Sequence, residues 1–328
     1  MKFHYKFADN KTCHASQRTA HQGEFFYFRA MKYNKPALTL AQQIQKLKER
    51  GLQIEDTSRA EKYLSFISYY RLRAYTYPYQ NNELEDHPFH KGTTFDMILN
   101  TYLFDRELRL VVFDAIERIE IAFRAQIINH FSVSYGTHWF EKPSLFRDSR
   151  RLEKDLEQLD KEINRSNEVF IGHYNTKYTY PSRPPVWMCF ETSTLSLVSK
   201  LYENLQMSKE KKQVARNFFM HPFVLESWMH TLSVVRNICA HHGRLWNRKI
   251  PAAPKMLKNP KHTWLKNRNI ETNKIYMVLS SIIYLLDSII PDHHFKNKFI
   301  NLLTKYPVIS ESEMGFPESW KQEALWRI

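Results

Sequence analysis

LRLVVFDAIERIEIAF, Leu108–Phe123, places Leu108, Val111, Val112, Ala115, Ile119, Ala122 and Phe123 at intervals that put them on one side of a helix. Asp114, Glu117, Arg118 and Glu120 fill the other side, and Arg124 follows. That 3.6-residue period predicts an amphipathic core helix and is incompatible with the two-residue period of a strand. Working outward, the pattern extends from near Thr94 to about Phe131, with an interruption expected at Phe104-Asp105. Ile275–Ile290 is apolar on nearly every side, as a buried central helix is, but Asp287 lies within it and it is shorter than the ~20 residues a membrane span needs. Only 7 Gly and 14 Pro occur in 328 residues, and no sustained alternation or repeat is found, so the fold class is all-α.

Local signals divide the rest of the chain into further helices. Thr39 is a candidate N-cap for a helix through Arg50, with Gly51 as its left-handed end. Asp56 or Ser58 opens a second helix through about Leu72, followed by an aromatic and basic run that includes Tyr69, Tyr70, Arg71, Arg73, Tyr75 and Tyr77. Asp148–Arg165 reads as a charged surface helix, and Val186–Leu205 as one helix after Pro181, Pro184 and Pro185. Ser208 caps a helix to Phe219; Pro222 starts one through His242 that Gly243 ends. Residues 1–34 are polar and basic without periodicity and are expected to form a poorly ordered extension.

The charge is uneven. Lys and Arg total 48 against 34 Asp and Glu, a net charge of +14, yet residues 51–200 are slightly acidic. Residues 201–300 carry 16 basic and 6 acidic groups, and Ser227–Ile270 has no Asp or Glu while holding Arg236, Arg244, Arg248, Lys249, Lys255, Lys258, Lys261, Lys266 and Arg268. A solvated helix face normally mixes signs, as Asp148–Arg165 does; a one-signed segment predicts a polyanion partner. Pro251, Pro254 and Pro260 make this basic stretch a loop. Three separated cysteines, Cys13, Cys189 and Cys239, with no apolar leader after Met1, fit a reducing compartment and a cytoplasmic protein.

Within Phe223–His242 the residues Leu225, Trp228, Met229, Leu232, Val235 and Cys239 form one apolar stripe, and Arg236 falls inside it. An arginine there needs a carboxylate, with Glu117 and Glu120 as candidates, or an anionic ligand. His230, Asn237 and His241 share another face, and His242, Arg244, Trp246, Asn247, Arg248 and Lys249 follow the helix end. Histidine exchanges protons near neutral pH, arginine braces phosphate with paired N–H groups, and asparagine orients an imidazole. RNA brings its own nucleophile in the 2′-hydroxyl, so such a set could cleave a phosphodiester without metal, or simply bind RNA, with Trp246 stacking on a base. Tyr70 and Arg71 are further candidates for RNA contact, against the alternative that the aromatic run is core. Cys239, His241 and His242 diverge on a helix and have no second ligand pair at suitable spacing, so neither a metal nor another cofactor is expected.

The run Arg236-Asn237-Ile238-Cys239-Ala240-His241 resembles the Arg-x(4–6)-His motif of the HEPN superfamily. Its extension through His242, Gly243, Arg244, Leu245, Trp246, Asn247 and Arg248 is similar to the Abi-like proteins of bacterial abortive infection, the AbiD/AbiF group. Lys35–Thr39, Ser68–Leu72, Phe104–Arg109, Ala115–Glu120, Pro184–Trp187 and Gly315–Trp320 carry the resemblance along nearly all of the chain after residue 34. It implies a HEPN-like helical bundle, with an N-terminal helical segment over 35–93 and a HEPN-like domain with C-terminal helices over 94–328. The implied activity is metal-independent RNA cleavage that leaves a 2′,3′-cyclic phosphate and a 5′-hydroxyl, with Arg236 and His241 as the catalytic pair and Asn237 as their orienting neighbour. Implied partners are substrate RNA, a structured noncoding antitoxin RNA and a second copy of the chain; no membrane is involved. Only one such motif occurs, and five residues separate its ends, about 140° on an ideal helix, so either the helix end is distorted or the groups converge across a homodimer.

Overall fold

The computed structural model describes Tyr33 and residues 35–327; the basic extension expected over 1–34 lies, apart from Tyr33, outside the described residues. Twelve α-helices follow in order: α1 (Leu40–Glu49), α2 (Thr57–Ile67), α3 (Tyr69–Arg73), α4 (Phe95–Tyr135), α5 (Ser149–Arg165), α6 (Val169–Lys177), α7 (Val186–Thr192), α8 (Leu195–Asn204), α9 (Lys209–Asn217), α10 (Pro222–Ala240), α11 (Ile275–Ile289) and α12 (Phe295–Lys305). Among the described residues there is no strand, only isolated bridges, so the molecule is an all-α bundle. None of these helices is long and apolar enough to cross a membrane.

Helix α4 is the spine. It runs for 41 residues without interruption, roughly 60 Å at 1.5 Å per residue. The expected break at Phe104-Asp105 is absent because Asp105 pairs with Arg109 one turn later, inside the helix and out of water. Phe104, Leu108, Val112, Ala115, Ile116, Ile119, Phe123 and Ile127 line its buried face, against which α9, α10, α11 and α12 pack. In α11 every residue from Ile275 to Leu286 is buried, which explains its unbroken apolar composition.

The caps follow the local sequence signals. Asp56, Asp148 and Ser208 each accept a backbone N–H three residues on, and Gly51 takes φ +89 at the end of α1. The single helix expected over Val186–Leu205 is instead two. The chain turns at Ser193-Thr194, where the Thr194 hydroxyl accepts from Leu197 N at 3.3 Å and Glu162 accepts from Thr194 N at 2.8 Å. A side chain 32 residues away in sequence thus stabilises a new helix start that no local periodicity reveals.

Candidate functional site

Helix α10 delivers the motif. Its apolar stripe, Leu225, Trp228, Met229, Leu232, Val235 and Cys239, is buried as predicted, and Pro222 sits at its first turn. The helix ends at Ala240, and His241 is the C-cap, with φ −91 and ψ 14. His242 N–H donates to Cys239 O at 3.0 Å and Gly243 N–H to Ile238 O at 2.8 Å, the paired bonds of a Schellman end. The left-handed residue is therefore His242, at φ +56, where Gly243 was expected. Histidine tolerates that region better than a branched residue does, and the reversal sends the chain away from the helix directly after His241.

The three motif side chains are left available. Asn237 and His241 are exposed, and among the described residues neither side chain has a hydrogen-bond partner. Arg236 is half-buried, with its guanidinium 5.6 Å from the Phe113 ring centroid and its Nε buried without a partner. The ion pair with Glu117 or Glu120 that its position suggested does not form. Glu120 is paired with Arg124, which also donates to Ser193 O at 2.6 Å, and Glu117 faces solvent. Burial pushes the Glu120 carboxyl up from its ordinary value, while Arg124 and then Arg236 pull it down, so Arg236 is close enough to feel Glu120 without bonding to it. Arg236 rests on an aromatic face and lacks a neutralising carboxylate, as an anion-binding arginine would. No hydrogen bond joins Arg236 to His241 within one chain.

The turn after the motif is the opposite case. Asp105, wholly buried, accepts at Oδ1 from Leu245 N at 2.9 Å and Trp246 N at 2.7 Å. Its Oδ2 accepts from Tyr75 OH at 2.7 Å and from Arg109 Nη1, which also reaches Gly243 O at 3.3 Å. Burial pushes the Asp105 carboxyl up, against the pull of Arg109, Tyr75 and the two amides. From α3, Arg71 Nη1 donates to His242 O at 2.8 Å, and Arg244 Nη1 returns a bond to Ala74 O at 2.5 Å. Residues 242–246 are thus fastened to α3 and α4 at several points, and the fastening includes groups too deep to be reached by a ligand.

This changes the roles of several expected site residues. Trp246 is 1% exposed and cannot stack on a base; its ring belongs to the core, which explains why an aromatic stands in an otherwise polar run. Arg71 and Arg244 each spend a nitrogen on a backbone carbonyl and act first as braces. Asn247 reaches Glu313 at 3.5 Å and is half-buried, whereas His242, Arg248 and Lys249 are exposed and free of ion pairs among the described residues. Tyr70 is 86% exposed, so the aromatic run does not all enter the core: Leu72 and Tyr75 do, while Tyr70 and Tyr77 face water. The Cys239 thiol is buried, which pushes its pKa up to about 12 and leaves it inert near neutral pH. Asp105 and Arg109 were missed as site residues. Their spacing on the buried face of α4 is the available signal, since two opposite charges one turn apart in an apolar stripe must satisfy each other or something that docks on them.

Fold and site together define an all-helical protein that presents an Arg–Asn–His set at the end of one core helix, next to an acid-free basic loop. A family model described as Abi-like protein matches residues 62–247, more than half of the chain and ending one residue beyond the fastened turn, and the chain belongs to that family. The membership supports a role in abortive infection defence. Neither the curated proteins nor the solved structures contain a match.

Proposed function

We propose that the chain is a metal-independent RNA endonuclease of the HEPN type acting in abortive infection, held in check by a structured noncoding RNA. The observation that carries the reading is that the side chains of Arg236, Asn237 and His241, at the end of α10, have no hydrogen-bond partner among the described residues. In the proposed reaction His241 removes the proton of a ribose 2′-hydroxyl as its oxygen attacks the adjacent phosphorus. Arg236 stabilises the charge gathering on the phosphorane oxygens, and the 5′-oxygen leaves after gaining a proton from a second histidine.

That second group comes from another copy of the chain in this reading. Leu110 and Ile121, each 59% exposed, lie eleven residues and three turns apart on one face of α4, and Phe113, which carries Arg236, borders the same face. Two such faces packed about a two-fold axis would set two Arg236–His241 pairs opposite each other. Light scattering is expected to show a dimer that Ile121→Arg converts to a monomer, with cleavage lost in parallel; a monomeric active wild type would reject this part of the reading.

The catalytic reading is tested by Arg236→Ala and His241→Ala. Each is expected to keep the wild-type helical spectrum and melting temperature while cleavage of single-stranded RNA falls by about 10²–10⁴-fold. Undiminished cleavage by both would remove it. The absence of any bond between Arg236 and His241 within one chain favours one competing reading, a scaffold that binds RNA on the same surface without cutting it. Tight binding with intact RNA would select that scaffold.

A further inference from the structure

The basic loop does not leave the bundle after the motif; it runs back along α10. Thr231 Oγ1 donates to Ala252 O at 2.8 Å, Lys255 N donates to Ser227 Oγ at 3.0 Å, and Trp228 Nε1 donates to Lys255 O at 2.8 Å. Further on, Lys261 N donates to the Tyr284 hydroxyl at 3.2 Å, and that hydroxyl donates to Phe219 O at 3.0 Å. Ascending loop numbers meet descending helix numbers, so the loop retraces the 19 residues of α10, a path of roughly 28 Å. Lys249, Lys255, Lys258 and Lys261 are exposed along it, and none of them forms an ion pair among the described residues.

The path ends on aromatic rings. Phe223, 45% exposed, has Lys255 Nζ 5.9 Å from its ring centroid and the His221 ring at 5.2 Å. Phe219, 37% exposed, lies 3.8 Å from the His262 ring, edge to face. Phe219 occupies the left-handed region at φ +55, closing α9 in the place usually taken by glycine. One exposed phenylalanine is unremarkable. Two of them, beside two histidines and three unpaired lysines in a segment whose acid-free run begins at Ser227, combine stacking faces with phosphate-binding charge.

Accepting that the ligand of the motif is RNA, we propose that the far end of α10 is a second binding surface, specific for single-stranded RNA. Bases stack on Phe223 and Phe219, and backbone phosphates sit on Lys255, Lys258 and Lys261. One strand then lies along α10 with its other end at His241. An unpaired strand is required because stacking on a side chain needs an exposed base face. At a rise of about 3.4 Å per nucleotide the path holds about eight nucleotides.

The test uses the full chain and 2′-O-methyl oligouridine, which lacks the free 2′-hydroxyl and cannot be cut. Binding of a 12-mer, a 4-mer and a 12-base-pair duplex is followed by fluorescence anisotropy. Phe223→Ala is expected to weaken the 12-mer about tenfold, and to change the 4-mer and the duplex less than twofold. The triple change Lys255→Glu, Lys258→Glu and Lys261→Glu is expected to lower the slope of log affinity against log salt by about 2 for the 12-mer. Thermal melting confirms that the variants are folded, these side chains being exposed. A 12-mer affinity within twofold of wild type in both variants overturns the proposal, as does an equal loss for duplex and single strand, which would indicate charge without base stacking. No RNA binding by wild type overturns it together with the RNA reading. Phe223-dependent binding by a protein that cuts no RNA leaves it standing and removes only the nuclease.

Discussion

At the end of α10, Arg236, Asn237 and His241 have side chains with no hydrogen-bond partner among the described residues, whereas in residues 242–246, directly after them, two carbonyls, two amides and the Arg244 guanidinium are engaged by α3, the residue that ends it, and α4. The two regions have similar composition: basic, histidine-bearing and polar. The difference lies in what each meets. The first faces solvent and an aromatic ring; the second faces Asp105, a buried carboxylate whose acceptor sites are filled by the turn, Tyr75 and Arg109. The bonds to Arg71 and Asp105 fix the backbone that follows directly after His241.

Breaking the free side of the comparison has the largest expected effect, the loss of cleavage at unchanged stability in Arg236→Ala and His241→Ala described above. Breaking the fastened side comes next. Asp105→Ala leaves Arg109 buried without its partner and two amides unsatisfied, which is expected to lower folding stability by about 3–5 kcal/mol in urea titration. A wild-type midpoint in that variant would show that the clamp carries little. Trp246→Ala and Tyr70→Ala sharpen the contrast between two aromatic residues that the sequence presents alike. The first is expected to destabilise by about 3–5 kcal/mol, as removal of a core tryptophan does. The second is expected to leave stability within about 0.5 kcal/mol and to weaken RNA binding by about 1–3 kcal/mol. The reverse assignment, a stable Trp246→Ala variant with weakened RNA binding, would contradict the burial of that ring.

What could be read from the sequence followed from short-range physics. The apolar periods of α4, α10 and α11, the caps at Asp56, Asp148 and Ser208, and the proline at the start of α10 all act within one or two turns, and each is found where its residues place it. The helix expected to run through Leu72 instead breaks at Ser68, whose hydroxyl accepts from Arg71 N and starts α3; the other departures occur where a partner distant in sequence decides. Glu162 splits α7 from α8, and Asp105 binds backbone 140 residues away. Trp246 illustrates the same limit, since a tryptophan among polar residues can be a stacking platform or a buried plug, and only the position of α4 settles which. At the helix end, His242 adopts the left-handed conformation that Gly243 could have taken without strain. Gly243 lies close against Ile238, where an added Cβ would come within 3.3 Å of the Ile238 carbonyl oxygen.

The central claim is that the free Arg236–Asn237–His241 set cuts RNA through the ribose 2′-hydroxyl. The most direct measurement is the chemistry of the product ends after incubation of single-stranded RNA with wild type, Arg236→Ala and His241→Ala in excess chelator. A 2′,3′-cyclic phosphate and a 5′-hydroxyl from wild type, with neither formed by the two variants, is the predicted result. A 5′-phosphate product, or cleavage that stops when chelator is added, would contradict the account.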